Sequence, residues 1–139
     1  MKMKLSDKEI VKRSPVWIAL SDLFIGRVLQ GSDFNYIIKI LKESQYSIDE
    51  LEFIFLNEVS PVFRFNIYSI PEMEGWNNEA IVSEVTSYLK KEGIFDRIFK
   101  KEWFNKILLP NVSKKRWNII KKYFNSVDSL AQDQLESEI

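Results

Sequence analysis

The sequence predicts a mainly α-helical protein, a single-domain bundle of about six to eight helices. Apolar residues recur at the three- and four-residue spacing of amphipathic helices along most of the chain. Ser-x-x-Glu patterns, which begin helices, occur at Ser6 and Ser47. No repeat and no long linker divides the 139 residues, so one domain is expected over 1–139.

The first thirty residues predict a short helix followed by a central one. Ser6 starts a helix over residues 7–13, and Pro15 is expected to kink or break the chain after it. Ser14 and Pro15 together are typical of a new helix start, so the central helix is expected from there to Phe24. Its predicted buried face contains Val16, Ala19, Leu20, Leu23 and Phe24, with Trp17 at the edge.

Two further helices are expected before residue 61. One runs from about Ser32 to Ser44, and the next begins at the Ser47 capping box and ends before Pro61. The first of them has a predicted apolar face of Phe34, Ile37, Ile38 and Leu41. Residues 62–70 partly alternate and are rich in aromatic and β-branched types, so a short extended segment is possible there but not decided by the pattern.

The C-terminal half predicts more helices and a loop. Residues 71–78 read as the loop, and Asn78 is expected to cap a helix over 79–92. A later helix should end at Leu109, and Ser113 should cap a basic helix over 114–124. A short helix from about Ser126 and an acidic tail are expected to complete the chain.

The residue types argue against catalysis. The chain has no cysteine and no histidine, which removes thiolate metal sites, cysteine nucleophiles and the commonest general base. Asp22 borders a predicted buried face and could be a catalytic acid, but no second catalytic group lies near it. A structural contact with Arg13, Arg27 or a helix N-terminus is the preferred interpretation. No enzyme activity, metal or cofactor is predicted.

The N-terminal residues predict a cytoplasmic protein. They contain no apolar segment of the signal-peptide kind. No apolar run approaches the roughly 20 residues that span a bilayer. A membrane is therefore not an expected partner.

Charge is distributed in blocks although the net charge is zero. Residues 47–86 carry one basic and eight acidic side chains. Within them Glu72 and Glu74 flank Trp76 in the predicted loop, a pattern that suits a protein-binding anchor with a charged rim. Trp76 could equally pack against the core. The predicted partner-binding residues are Glu72, Glu74, Trp76, Asp49, Glu52 and Glu79.

The segment 87–125 has the opposite charge, with eleven basic and three acidic side chains. Basic and aromatic residues alternate on its last helix, which suggests an alternative function as a nucleic-acid-associated regulator. Trp117, Ile120 and Phe124, however, have core spacing, and the acidic block can neutralise the basic one. The basic side chains concerned are Lys114, Lys115, Arg116, Lys121 and Lys122.

Three stretches resemble a small bacterial family of unknown function. Residues 13–24, RSPVWIALSDLF, resemble its signature R-x-P-V-W-x-A-L-S-D-L-F, and 46–61 resemble a second signature, G-Y-S-x-x-E-L-E followed by E-V-x-P. Residues 74–76 resemble its E-W loop. The resemblance covers 8–90, leaving 91–139 as basic helices and an acidic tail, and Gln45 stands where the family tends to have Gly. The structural residues predicted are Arg13, Pro15, Trp17, Asp22, Glu58 and Pro61.

In size, composition and helical character the chain is similar to immunity proteins of contact-dependent inhibition and other polymorphic toxin systems. That similarity implies a protein that binds a cognate toxin and occludes its active site. An acidic surface would suit a toxin with a basic active-site surface, because opposite charges speed association. The expected partner is therefore a protein, and nucleic acid is the alternative.

Overall fold

A computed structural model describes residues 5–64, 77–91 and 105–126. These residues form helices and turns without a β-strand, so the predicted mainly α fold is confirmed for them. A short helical turn also occurs at 105–107. The helices are α1 (Asp7–Ser21), continued by a 3₁₀ turn (Asp22–Phe24), α2 (Gly31–Glu43), α3 (Ile48–Ile54), a π-helical turn (Phe55–Val59), α4 (Ser60–Phe63), α5 (Asn78–Lys90) and α6 (Asn111–Phe124).

Helix α1 is continuous through Pro15, so the predicted break between two helices is wrong. Ser6 caps it as predicted, accepting a hydrogen bond from the Glu9 amide. Ser14 lies inside the helix and donates to the Ile10 carbonyl at 2.5 Å instead of capping a new one. Pro15 and Val11 are both exposed, so water can reach the carbonyl that lacks a proline N–H partner.

The helix that begins at Ser47 also passes its predicted end. Ser47 and Glu50 form both hydrogen bonds of the capping box. The chain then widens into the π-helical turn and continues as α4, with Pro61 near the start of that helix, where a missing N–H is tolerated. Residues 62 and 63 are therefore helical rather than extended, and 65–70 lie outside the described residues.

Two residues that were predicted to cap helices lie inside them. Asn77, not Asn78, caps α5 by accepting hydrogen bonds from the next amides. Ser113 lies inside α6, completely buried, and its hydroxyl donates to the Leu23 carbonyl at 2.8 Å. The predicted helix that ends at Leu109 and the one from Ser126 lie largely outside the described residues.

Helix α1 occupies the centre of the described bundle. It packs against α2, α5 and the π-helical turn, while α6 packs against the 3₁₀ turn and α2. Trp17 is fully buried in this core rather than at its edge. No helix in the described segments is long and apolar enough to cross a membrane. The predicted apolar positions Val16, Ala19, Leu20, Leu23, Phe24, Phe34, Ile37, Ile38 and Leu41 are all buried.

Gln45, which follows α2, has a φ angle of 66°. A side chain with a Cβ is disfavoured in this left-handed conformation, whereas glycine adopts it freely. We therefore expect Gln45→Gly to stabilise the protein by about 1 kcal/mol in urea unfolding. Gln45→Ala is the matched control because it retains the Cβ. An equal gain from both variants would contradict the backbone explanation.

Candidate partner-binding surface and its buried support

Glu58 lies at the centre of the bundle with its side chain completely excluded from solvent. Its carboxylate forms an ion pair with Arg13, and the Trp17 indole N–H donates to its other oxygen at 2.8 Å. A buried carboxylate requires such partners because it has lost its hydration. The contacts join α1 to the π-helical turn, so three of the predicted structural residues form one buried cluster.

Glu58 lies within the π-helical turn. Such turns insert one residue into a helix and are often found at functional sites.

Burial opposes the charge of Arg13, but Glu58 and Tyr46 outweigh it, so the pKa of Arg13 is raised above its ordinary value. Glu9 forms a second, more exposed ion pair with Arg13 at 3.5 Å. The cluster therefore fixes charged groups inside the fold instead of presenting them to a partner.

Of the two arginines predicted as contacts of Asp22, Arg27 acts on its carboxyl and Arg13 does not. Arg13 is paired with Glu58, and the positive charges acting on Asp22 are those of Arg27 and Arg116. Burial raises the pKa of the Asp22 carboxyl, and these two arginines offset the effect only in part. Arg27 itself forms an ion pair with Asp33 at 3.1 Å. The structure thus places Asp22 beside arginines at the junction of α1 and α6.

Arg116 holds the loop after α1 against α6. Its guanidinium donates to the carbonyls of Ile25 at 2.8 Å and Arg27 at 2.7 Å, with longer contacts to those of Asp22 and Leu23. Burial lowers the pKa of Arg116, and the neighbouring charge of Arg27 adds to this effect. Arg116 is therefore committed to backbone carbonyls within the protein.

Glu52 links α3 to α6. It accepts hydrogen bonds from the Trp117 indole at 2.9 Å and from Lys121 at 3.3 Å. Partial burial opposes its charge, but these two bonds outweigh it, so the pKa of Glu52 is lowered. Its ion pair therefore favours the folded protein near neutral pH and is lost as the pH falls through that lowered value. Its predicted role toward a partner stays a prediction.

The remaining predicted partner-binding residues divide into two groups. Asp49 and Glu79 have exposed side chains in the first turns of α3 and α5. Helix α5 packs against the π-helical turn and α4, so it lies beside the downstream part of the helical stretch that α3 begins. Glu84 adds an exposed carboxylate on α5 that the predicted set omits. Glu72, Glu74 and Trp76 lie outside the described residues.

Fewer basic side chains of α6 are available at the surface than its sequence suggested. Trp117 and Ile120 are buried, as their spacing predicted, Arg116 binds loop carbonyls and Lys121 pairs with Glu52. Three further lysines of α6 are exposed, namely Lys114, Lys115 and Lys122, and the Lys122 ammonium lies 5.5 Å from the centroid of the Tyr123 ring.

Phe53 is an exposed aromatic residue that the predicted partner-binding set does not include. Its side chain is 44% exposed on α3, between the acidic first turn and the π-helical turn. The signal was present in the sequence, because residue 53 lies off the apolar face formed by Leu51, Ile54 and Phe55. Among the described residues, no group of three or more acidic side chains is arranged to hold a metal ion.

These contacts define an all-α arrangement of the described residues, in which buried charges connect the helices and the exposed acids of block 47–86 lie on α3 and α5. The chain belongs to the family described as Domain of unknown function (DUF7079), which matches residues 11–123 and so includes α6. No curated protein and no solved structure matches the chain.

Proposed function

We propose that this protein is a cytoplasmic immunity protein that binds a cognate bacterial toxin and neutralises it by occluding its active site. The observation that carries the proposal is the acidic block at 47–86, where eight carboxylates accompany one arginine. Asp49, Glu79 and Glu84 keep their side chains exposed in the described part of that block.

The internal contacts separate structural acids from those free to act on a partner. Glu58 forms an ion pair with Arg13 and accepts a hydrogen bond from Trp17. Glu50 takes part in the capping box of α3, and Glu52 accepts a hydrogen bond from Trp117 of α6. Asp49 and Glu79, by contrast, lie exposed in the first turns of α3 and α5. Exposed carboxylates on a rigid helical scaffold suit fast capture of a basic protein.

The steering role of the acids can be tested with a toxin domain encoded beside this protein's gene. We expect Asp49→Lys and Glu79→Lys each to slow association by roughly threefold or more at low salt, since each reverses a charge that attracts a basic partner. The difference should shrink toward 1 M salt, where the Debye length is about 3 Å. Stopped-flow measurement of association rates at several salt concentrations supplies the result.

Asp7→Lys is the matched control for these variants. Asp7 is also an exposed acid in the first turn of a helix, so its reversal has the same effect on the helix dipole but lies outside the acidic block. A similar slowing by all three variants would indicate a net-charge effect and not a binding surface. The proposal itself fails if the neighbouring gene product neither binds this protein nor is toxic without it.

Nucleic-acid binding is the alternative, supported by the exposed Lys114, Lys115 and Lys122 of α6. The contacts of Arg116, Lys121 and Trp117 leave this surface smaller than the sequence predicted. Binding to phosphates strengthens as salt falls, so a salt titration with DNA and RNA discriminates the two functions. Absence of binding at low salt would exclude the alternative.

A further inference from the structure

Phe53 lies in α3, just after the three acidic residues of that helix. Residues 48–54 contain three acids and no base, and Phe53 follows Asp49 by four positions, so the two share one face of the helix. Leu51 and Ile54 are buried in the core, which directs that face outward. A single exposed aromatic residue is common on protein surfaces, so its neighbours decide its significance.

A second exposed apolar residue belongs to a turn that is hydrogen-bonded to the same helical stretch. The Asn57 side chain donates to the Phe53 carbonyl at 3.1 Å and accepts a hydrogen bond from Asn105 at 3.1 Å. These hydrogen bonds connect the 105–107 turn to the π-helical turn that follows α3. Ile107, two residues beyond Asn105, is 60% exposed.

The surrounding charges indicate what kind of surface would cover these residues. Asp49 and Glu50 are exposed on the same helix, and the Glu50 carboxylate accepts the capping hydrogen bond from the Ser47 amide. Glu52 is partly neutralised by Lys121 and by the nearby charge of Lys106. An apolar centre beside carboxylates has the composition of a binding hot spot with a charged rim. The complementary surface carries an apolar side chain flanked by lysine or arginine.

We propose that Phe53 is the apolar anchor of the partner-binding surface, with Ile107 on the adjoining turn and Asp49 at its rim. The occupant is a basic surface of the toxin, so this inference rests on the proposed function. The acids attract the partner over a distance, and Phe53 holds it by burying apolar area after contact. The two roles therefore affect different rate constants.

The test compares Phe53→Ala with wild type in binding to the toxin domain encoded beside this gene. We expect dissociation to become at least about tenfold faster while the association rate changes by less than about twofold. Ile107→Ser, a second variant, should also accelerate dissociation. Thermal unfolding should be nearly unchanged for both, because the two side chains are largely exposed.

Tyr36→Ala is the matched control, since Tyr36 is an aromatic residue of α2 with 61% exposure. Its dissociation rate should equal that of wild type. If Phe53→Ala and Ile107→Ser behave like Tyr36→Ala while wild type binds, the anchor is wrong and the proposed function stands. If wild type does not bind the toxin domain, both the anchor and the proposed function are overturned.

Discussion

Replacing Glu58 by alanine should lower the free energy of unfolding by about 3–5 kcal/mol, the range found when one partner of a buried ion pair is removed. The variant leaves the Arg13 guanidinium without its buried partner and the Trp17 indole N–H without its acceptor. It also opens a cavity between α1 and the π-helical turn. Urea unfolding followed by tryptophan fluorescence and circular dichroism measures the loss.

Glu52→Ala is a closely matched control for this prediction. Glu52 also accepts from a tryptophan indole and a basic side chain, but its side chain is 32% exposed and Glu58 is 0% exposed. Water can therefore replace much of what Glu52 loses, and its cost should be about 1 kcal/mol or less. Equal losses in the two variants would show that burial is not the source of the Glu58 effect.

Arg116→Ala should destabilise the protein by about 3 kcal/mol, because charge-assisted hydrogen bonds contribute more than neutral ones and the freed carbonyls are left without a donor. The two shortest of these bonds hold the carbonyls of Ile25 and Arg27. Loss of these hydrogen bonds should also raise the hydrogen-exchange rates of amides in the loop between α1 and α2. Equilibrium unfolding and hydrogen exchange together measure both effects.

Two further variants test why Arg116→Ala should destabilise the protein. Lys115→Ala removes the adjacent, exposed base of α6 and should change stability by no more than about 0.5 kcal/mol. Arg116→Lys keeps the charge but lacks the planar fork that reaches both carbonyls, so it should recover only part of the stability. Full recovery with lysine would mean that charge, and not the geometry of the donors, stabilises the loop.

Local patterns predicted most of the helices and their buried faces. The face of α2 and the Ser47 capping box follow from spacings of three and four residues, which a helix converts directly into neighbours. The helix boundaries predicted at Pro15 and Pro61 were wrong. The free-energy cost of a proline within a helix depends on whether water or a π-helical turn compensates for its missing N–H donor. That compensation is not visible in the residues adjacent to each proline.

The sequence by itself determined that the protein is helical, that it has alternating charge blocks, and that Glu58, Arg13 and Trp17 belong to recognisable patterns. Only the tertiary structure decided which charges remain at the surface. Arg13 meets Glu58 across 45 positions, and Arg116 reaches a loop about ninety positions earlier. Periodicity reports contacts within one helix, whereas these pairings depend on how the helices pack around α1. Those pairings leave the side chains of Asp49, Phe53 and Glu79 exposed.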